Sequence, residues 1–257
     1  MPARSGSWPR LKCPERGANL WAIGVLIVAL PTEYEARDLV ALLAHGQRET
    51  IAGVPCYRGA LADTALLIII CGMGRVMAAR RTRQVLTQVP GHTFILAGFA
   101  GALVPGLKKG RVLVADRYSP PTVLDRIRPI PGYDLAALHT ANQVIARPDE
   151  KALLARQSGC QLVDMEMSAV AEVVNSHGLD ILGIRVISDE AGETVPAALA
   201  HGYDQRAGRT TPVKMALHLL THPWQIAKLQ TFMSPLPAAR RNLTQFVVAV
   251  VRELGER

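Results

Sequence analysis

Aromatic side chains are scarce in this sequence, at 5% of 257 residues, and charged ones are few, at 19%. Too little charge and ample apolar material, 49%, exclude an intrinsically disordered chain. The shortage of Phe, Tyr and Trp argues against the stacked-base surfaces of single-strand nucleic-acid binders, even though the formal net charge is +8. Only four cysteines occur, Cys13, Cys56, Cys71 and Cys160, with no CxxC pair and no His/Cys spacing that would assemble a zinc site. Reduced thiols in a cytoplasmic protein are expected, with no metal and no disulfide framework. No apolar run reaches the ~20 residues that a membrane-spanning helix needs.

The N-terminus combines Arg4, Arg10, Lys12 and Arg16 with the apolar run "LWAIGVLIVALP", a pattern shared with secretory signal peptides. It lacks a small-x-small cleavage site ahead of a plausible mature start and leads into "PTEYEARDLVALLA", a loop followed by an amphipathic helix. A buried first strand explains it better, so residues 1–19 are expected to be a mobile tail, 20–204 a catalytic domain, and 205–257 a helical, basic extension packed on that domain.

Apolar runs without alternation, "WAIGVLIVAL", "ALLIIICG", "TFILAGFAG", "GRVLVADRY" and "DILGIRVISD", read as strands covered on both faces. Helical periodicity lies between them, over 33–45 (Ala36, Leu39, Val40, Leu43), 74–88, 149–157, 164–177 and the C-terminal stretch. The pattern implies an α/β fold of three layers, with a central, largely parallel sheet flanked by helices. Ligands in such sheets gather beyond the carboxyl ends of the strands.

Acidic residues cluster at those ends: Glu33 and Glu35 in "ALPTEYEA", Asp164 and Glu166 in "VDMEMSAVAEVV", and Ser188, Asp189 and Glu190 in "VISDEAGE". Carboxylates crowded at one sheet edge are candidates for raised pKa values and acid–base work. Each also has a structural reading. Glu33 suits the first turn of a helix, Asp189 an Asx turn, and Asp164 the N-cap of the following helix.

The order of five segments decides between these readings: "ALPTE", "CGMGRVMAA", "AGFAGALVPGLKKGRVLVAD", "VDMEMSAVAEVV" and "IRVISD". Over residues 21–195 the sequence resembles the nucleoside phosphorylase superfamily, the purine nucleoside phosphorylase and methylthioadenosine/S-adenosylhomocysteine nucleosidase group. "VDMEMSAVA", "RVISDEAGETVP" and the Pro-interrupted C-terminal stretch are similar to the hopanoid-associated phosphorylase branch. The resemblance implies that Met165 packs on the ribose while Glu166 accepts its hydroxyls. Asp189, steadied by Ser188, would protonate purine N7. Main-chain groups around Val144 and Ile145 would read the base, and Gly98 and Phe99 would line the pocket.

For the nucleophile, the resemblance offers water activated by Glu33, with Glu35 in reserve. Phosphate as cosubstrate, held at Gly74 and Arg75, is the other possibility; "GFAGA" places Phe99 where the family often has a serine, which weakens the case for a phosphate site. No other cofactor is implied. The expected activity is cleavage of the N-glycosidic bond of a 5′-modified adenine nucleoside, of adenosylhopane type. Methylthioadenosine or S-adenosylhomocysteine cleavage, or a nucleoside-sensing module without activity, are the alternatives. A homo-oligomer and no nucleic-acid partner are expected. The protein is placed in the cytoplasm, with its basic C-terminal extension able to reach the inner-membrane surface.

Overall fold

The computed structural model describes residues 25–204, 209–210, 221–222 and 224–255. The expected tail, 1–19, and parts of the 205–257 extension lie outside the described residues. In chain order the strands are β1 (Val25–Leu30), β2 (Ala44–Ile51), β3 (Val54–Leu61), β4 (Thr64–Ile70), β5 (Gly91–Ala102), β6 (Val112–Ala115), β7 (Tyr133–Ala136), β8 (Leu138–Thr140), β9 (Leu162–Asp164) and β10 (Asp180–Asp189), with a short pair β11 (Tyr203–Asp204) and β12 (Arg209–Thr210). The helices are α1 (Glu33–Ala41), α2 (Arg75–Leu86), α3 (Pro121–Ile127), α4 (Pro148–Ser158), α5 (Met167–Ser176), α6 (Ala197–Gly202), α7 (Gln225–Met233) and α8 (Leu236–Gly255).

Ten strands form one mixed sheet in the order β2-β3-β4-β1-β5-β10-β6-β7, and β9 pairs with β5 and β8 beside this path. Its centre, β4-β1-β5-β10, is parallel. Alternation along each central strand divides the core in two. Ile27, Ala29, Leu67, Ile69, Phe94 and Leu96 face α2 and α5, whereas Leu26, Val28, Leu66, Ile68 and Ile95 face α1, α3 and α8. Both faces are thus covered, which is why these strands read as unbroken apolar runs.

Helix α8 buries Ala239, Leu243, Phe246, Val247, Val250, Val251 and Leu254 against the sheet. It therefore forms part of a core layer, and Arg126 closes its C-terminus by donating to the Glu253 and Leu254 carbonyls, both at 3.1 Å. The expected helix 33–45 is shorter: it ends at Ala41, and the chain from Ala44 turns into β2 of a hairpin absent from the sequence reading. β2 lies at the sheet edge and is mostly exposed, so it carries no apolar signature. The helix expected over 164–177 begins at Met167, because Asp164 Oδ2 accepts the Met167 N–H at 3.0 Å and caps it from outside.

Candidate active site

Three buried carboxylates mark the candidate site: Glu35 in the first turn of α1, Glu166 between β9 and α5, and Asp189 at the end of β10. Thr32, the N-cap of α1, positions the first: its hydroxyl accepts the Glu35 N–H at 3.2 Å and donates to Glu35 Oε2 at 2.6 Å. Glu35 Oε1 accepts the main-chain N–H of Phe99 at 2.9 Å. β5 passes so close that a Cβ added at Gly98 would stand 3.0 Å from Glu35 Oε1, and one at Gly101 would stand 3.0 Å from Asp189 Oδ2. Glycine at both positions lets one strand lie against two carboxylates.

Burial raises the Glu35 pKa, against the opposing pull of the Thr32 and Phe99 hydrogen bonds. Glu166 is pushed up to about 8, first by burial and then by the negative charge of Asp164; the Gly74 N–H, which donates to Glu166 Oε1 at 2.7 Å, and Arg185 oppose the rise. Glu35 adds a further repulsion to Glu166, which marks the two as electrostatic neighbours. Asp189 is held differently. Ser188 donates its hydroxyl to Asp189 Oδ1 at 2.6 Å, and the buried Lys151 ammonium donates to Oδ2 at 2.5 Å.

Asp164 is a scaffold member. Its carboxylate accepts from Arg185 Nη2 at 2.6 Å, from Thr140 Oγ1 at 2.9 Å and from the Met167 N–H. Arg185 is wholly buried and spends further donors on the carbonyls of Leu96 and Ile184, at 2.7 and 2.8 Å. This ion pair ties β10, β5 and the start of α5 together and so fixes the backbone on which Glu166 sits.

One expectation is corrected. Glu33 does not join this cluster: its side chain is 48% exposed, accepts from the Tyr57 hydroxyl at 2.6 Å, and pairs with Arg48 at 3.3 Å. Glu35, the reserve candidate, occupies the buried place. The pair named for phosphate also separates. Gly74 gives its N–H to Glu166, while the exposed Arg75 contacts Asn142 Oδ1 at 3.4 Å, beside a cavity of about 500 Å³ shared with Arg117 and His139. Met165 is half-buried at the join of β9 and α5.

Val144 and Ile145 diverge. Ile145 packs against the cluster of Leu103, Ala141 and Val163, whereas Val144, like Phe99, packs against that of Val195, Phe232 and Leu236. Val144 also lines a cleft of about 1160 Å³ walled by Val195, Trp224, Ala227, Lys228 and Phe232. None of the three carboxylates lines that cleft. Phe99 and Val144 belong to the apolar cluster between, so the cleft opens beside the acidic cluster and does not contain it. Among the described residues no group of three or more His, Cys, Asp and Glu side chains is arranged to hold a metal ion.

A profile of the Phosphorylase superfamily matches residues 25–137 and 136–220, well over half of the sequence. The chain belongs to the phosphorylase superfamily. Among superfamily relatives, a 5′-methylthioadenosine/S-adenosylhomocysteine nucleosidase of Shewanella baltica is 24% identical over 196 residues, covering 64% of this chain and 83% of that protein. One from Listeria welshimeri is 25% identical over 196 residues, 63% of this chain and 84% of that protein. Of solved superfamily structures, the Streptococcus pneumoniae nucleosidase with a transition-state inhibitor superposes with TM-score 0.67 at 19% identity, over 89% of this chain and 99% of that one. A futalosine hydrolase mutant of Helicobacter pylori gives TM-score 0.69 at 14% identity, over 90% and 99%. These likenesses establish the three-layer fold of the superfamily.

Lys151, Arg185, Thr32 and Thr140 are the site members that reading the sequence missed. "PDEKALLARQ" presents Lys151 as one more charge on a surface helix, and only the fold brings it to Asp189, 38 residues away.

Proposed function

We propose that this protein cleaves the N-glycosidic bond of a 5′-modified adenine nucleoside, with water as the nucleophile. The observation that carries the reading is that the buried Glu35 and Asp189 lie against β5 at Gly98 and Gly101, with the buried Glu166 near enough to Glu35 for their charges to repel. Asp189 passes a proton to purine N7 as the C1′–N9 bond breaks and its electron pair leaves with the base. Positive charge then develops on the ribose, where Glu166 accepts the sugar hydroxyls and supplies a nearby negative charge. The water oxygen bonds to C1′ and its proton passes to Glu35, whose raised pKa suits a base.

Water is favoured over phosphate because two main-chain donors at the site are already committed to carboxylates: Phe99 N–H to Glu35 and Gly74 N–H to Glu166. A phosphate dianion would therefore meet no free main-chain donor at either position. The nucleosidase names of the curated relatives support the same class of reaction. No metal or organic cofactor is required by it.

For the 5′ substituent we favour a bulky apolar group of adenosylhopane type. The cleft of about 1160 Å³ beside Phe99 is large and partly apolar, and Trp224 and Ile226 stand 63% and 45% exposed at α7 near Lys228. Apolar side chains next to a cation suit a lipid surface, so peripheral membrane association belongs to this reading. No helix among the described residues is long and apolar enough to cross a membrane. Methylthioadenosine and S-adenosylhomocysteine are the alternative substrates, and a homo-oligomer is the expected assembly, checked by light scattering.

The test is chromatography of free adenine after incubation with adenosylhopane, methylthioadenosine and S-adenosylhomocysteine, each with and without phosphate. Release without phosphate supports the proposal, release only with phosphate replaces water by phosphate, and no release from any substrate turns the reading to ligand sensing.

A further inference from the structure

Lys151 is wholly buried in the first turns of α4, and its ammonium has three partners: Asp189 Oδ2 at 2.5 Å, the Glu190 carbonyl at 2.8 Å and the Glu193 carbonyl at 3.0 Å. An ammonium group has three N–H donors, so all are accounted for. A buried charge is tolerated only when it is paired and hydrogen-bonded in this way. The loop that it holds is clamped from outside as well, since Lys108 pairs with the Glu190 carboxylate at 2.9 Å and Lys109 with that of Glu193 at 2.8 Å.

The segment just before α4, around Val144, is the one expected to read the base. Ala146 accepts the Val195 N–H at 2.9 Å, and Arg147 caps the helix, its own N–H donating to Glu150 Oε2 at 3.1 Å. The main chain near Val144 and the Asp189 loop are therefore joined at two points, the Ala146–Val195 hydrogen bond and the Lys151 ammonium.

We infer that Lys151 is a positioning residue for the acid step, fixing Asp189 against purine N7 and receiving the negative charge that returns to its carboxylate as the proton leaves. This rests on the N-glycosidic reading above and adds to it a residue specific to leaving-group protonation. The electrostatic argument is that an ammonium in a dry site stabilises charge developing beside it far more than it would in water, with no reorganisation needed. Glu166 and Glu35, which act on the sugar and the water, make no hydrogen bond to Lys151.

The experiment compares two substrates on the full-length protein: an adenine nucleoside, and the corresponding 4-nitrophenyl riboside, whose leaving group departs without protonation. In Lys151→Met, adenine release should fall about 100-fold or more, the scale of an acid–base contribution, while nitrophenolate release changes by less than about 3-fold. Equal losses on both substrates would mean that Lys151 only supports the fold and would overturn the proposal, as would undiminished adenine release. Because Lys151→Met alone leaves Asp189 unpaired and risks misfolding, Lys151→Met with Asp189→Asn, which removes both charges, is the second arm. It should melt near the wild type and release nitrophenolate as fast as Asp189→Asn alone; a further loss of nitrophenolate release would show that Lys151 acts elsewhere and would overturn the proposal. Wild-type protein that releases neither product would remove the N-glycosidic reading itself, an outcome distinct from wild-type activity with an indifferent Lys151 variant.

Discussion

The Glu35 carboxylate is locked onto the main-chain N–H of Phe99 at 2.9 Å, joining the first turn of α1 to the middle of the sheet. Glu33, two residues earlier, turns outward to Tyr57 and Arg48. Helical geometry makes this divergence unavoidable, since residues two apart project about 200° apart around the axis. If Glu35 is the base that receives the water proton, Glu35→Gln should lower turnover by about 100- to 10,000-fold. Glu33→Gln should stay near wild type, because it loses only an exposed pair worth less than about 1 kcal/mol. Steady-state adenine release for the two variants checks this, and the reverse ranking would return the role to Glu33.

Asp189 and Glu166 should separate in kinetics. Protonation of N7 is needed only as the bond breaks, so Asp189→Asn should abolish turnover while sparing ligand affinity. Glu166 holds the ribose before and during the reaction, and Glu166→Gln should weaken both. Calorimetric titration with a non-cleavable adenine nucleoside, set beside turnover, distinguishes them; full activity in Asp189→Asn would exclude it as the acid.

The central strands could be read directly because both faces are covered, leaving β1, β4 and the middle stretches of β5 and β10 mostly apolar. The β2–β3 hairpin could not, because an exposed edge strand such as "AHGQRETI" has no burial to impose a pattern. Asp164, Glu166 and Asp189 were visible as carboxylates at strand ends. The choice between Glu33 and Glu35 was not, since both occupy the first turn of α1 and only packing against β5 selects one. Lys151 and Arg185 were invisible for a further reason: a basic residue reveals that it is buried only when its distant acidic partner is known.

The Arg185–Asp164 pair should be a stability determinant. Both side chains are fully buried, and removing one leaves the other charge unpaired in the core. Arg185→Met should therefore destabilise the protein by about 3–5 kcal/mol. Adding Asp164→Asn should recover part of that loss, because the orphaned charge disappears. Urea unfolding of the single and double variants measures both, and a double variant less stable than the single one would show that the hydrogen bonds outweigh the charge.

Glu166 predicts an unusual pH dependence of stability. Its folded pKa is raised from 4.5 to about 8, chiefly by burial. Between those values the folded protein holds a proton that the unfolded chain has released, so stability must fall as pH rises. The contribution is complete below the unfolded value and is lost as pH climbs through the folded one. Glu35, also raised, acts with the same sign. The wild-type Tm should drop between about pH 5 and about pH 8.5, and Glu166→Gln, which cannot ionise, should drop less and exceed wild type at the alkaline end. Identical slopes for the two proteins would mean that Glu166 is ionised throughout. Ribose hydroxyls donate to the carboxylate form, so nucleoside affinity should improve over the same interval in which the ligand-free protein weakens. The bound sugar then supplies hydrogen bonds to the charge whose burial, without it, opposes folding.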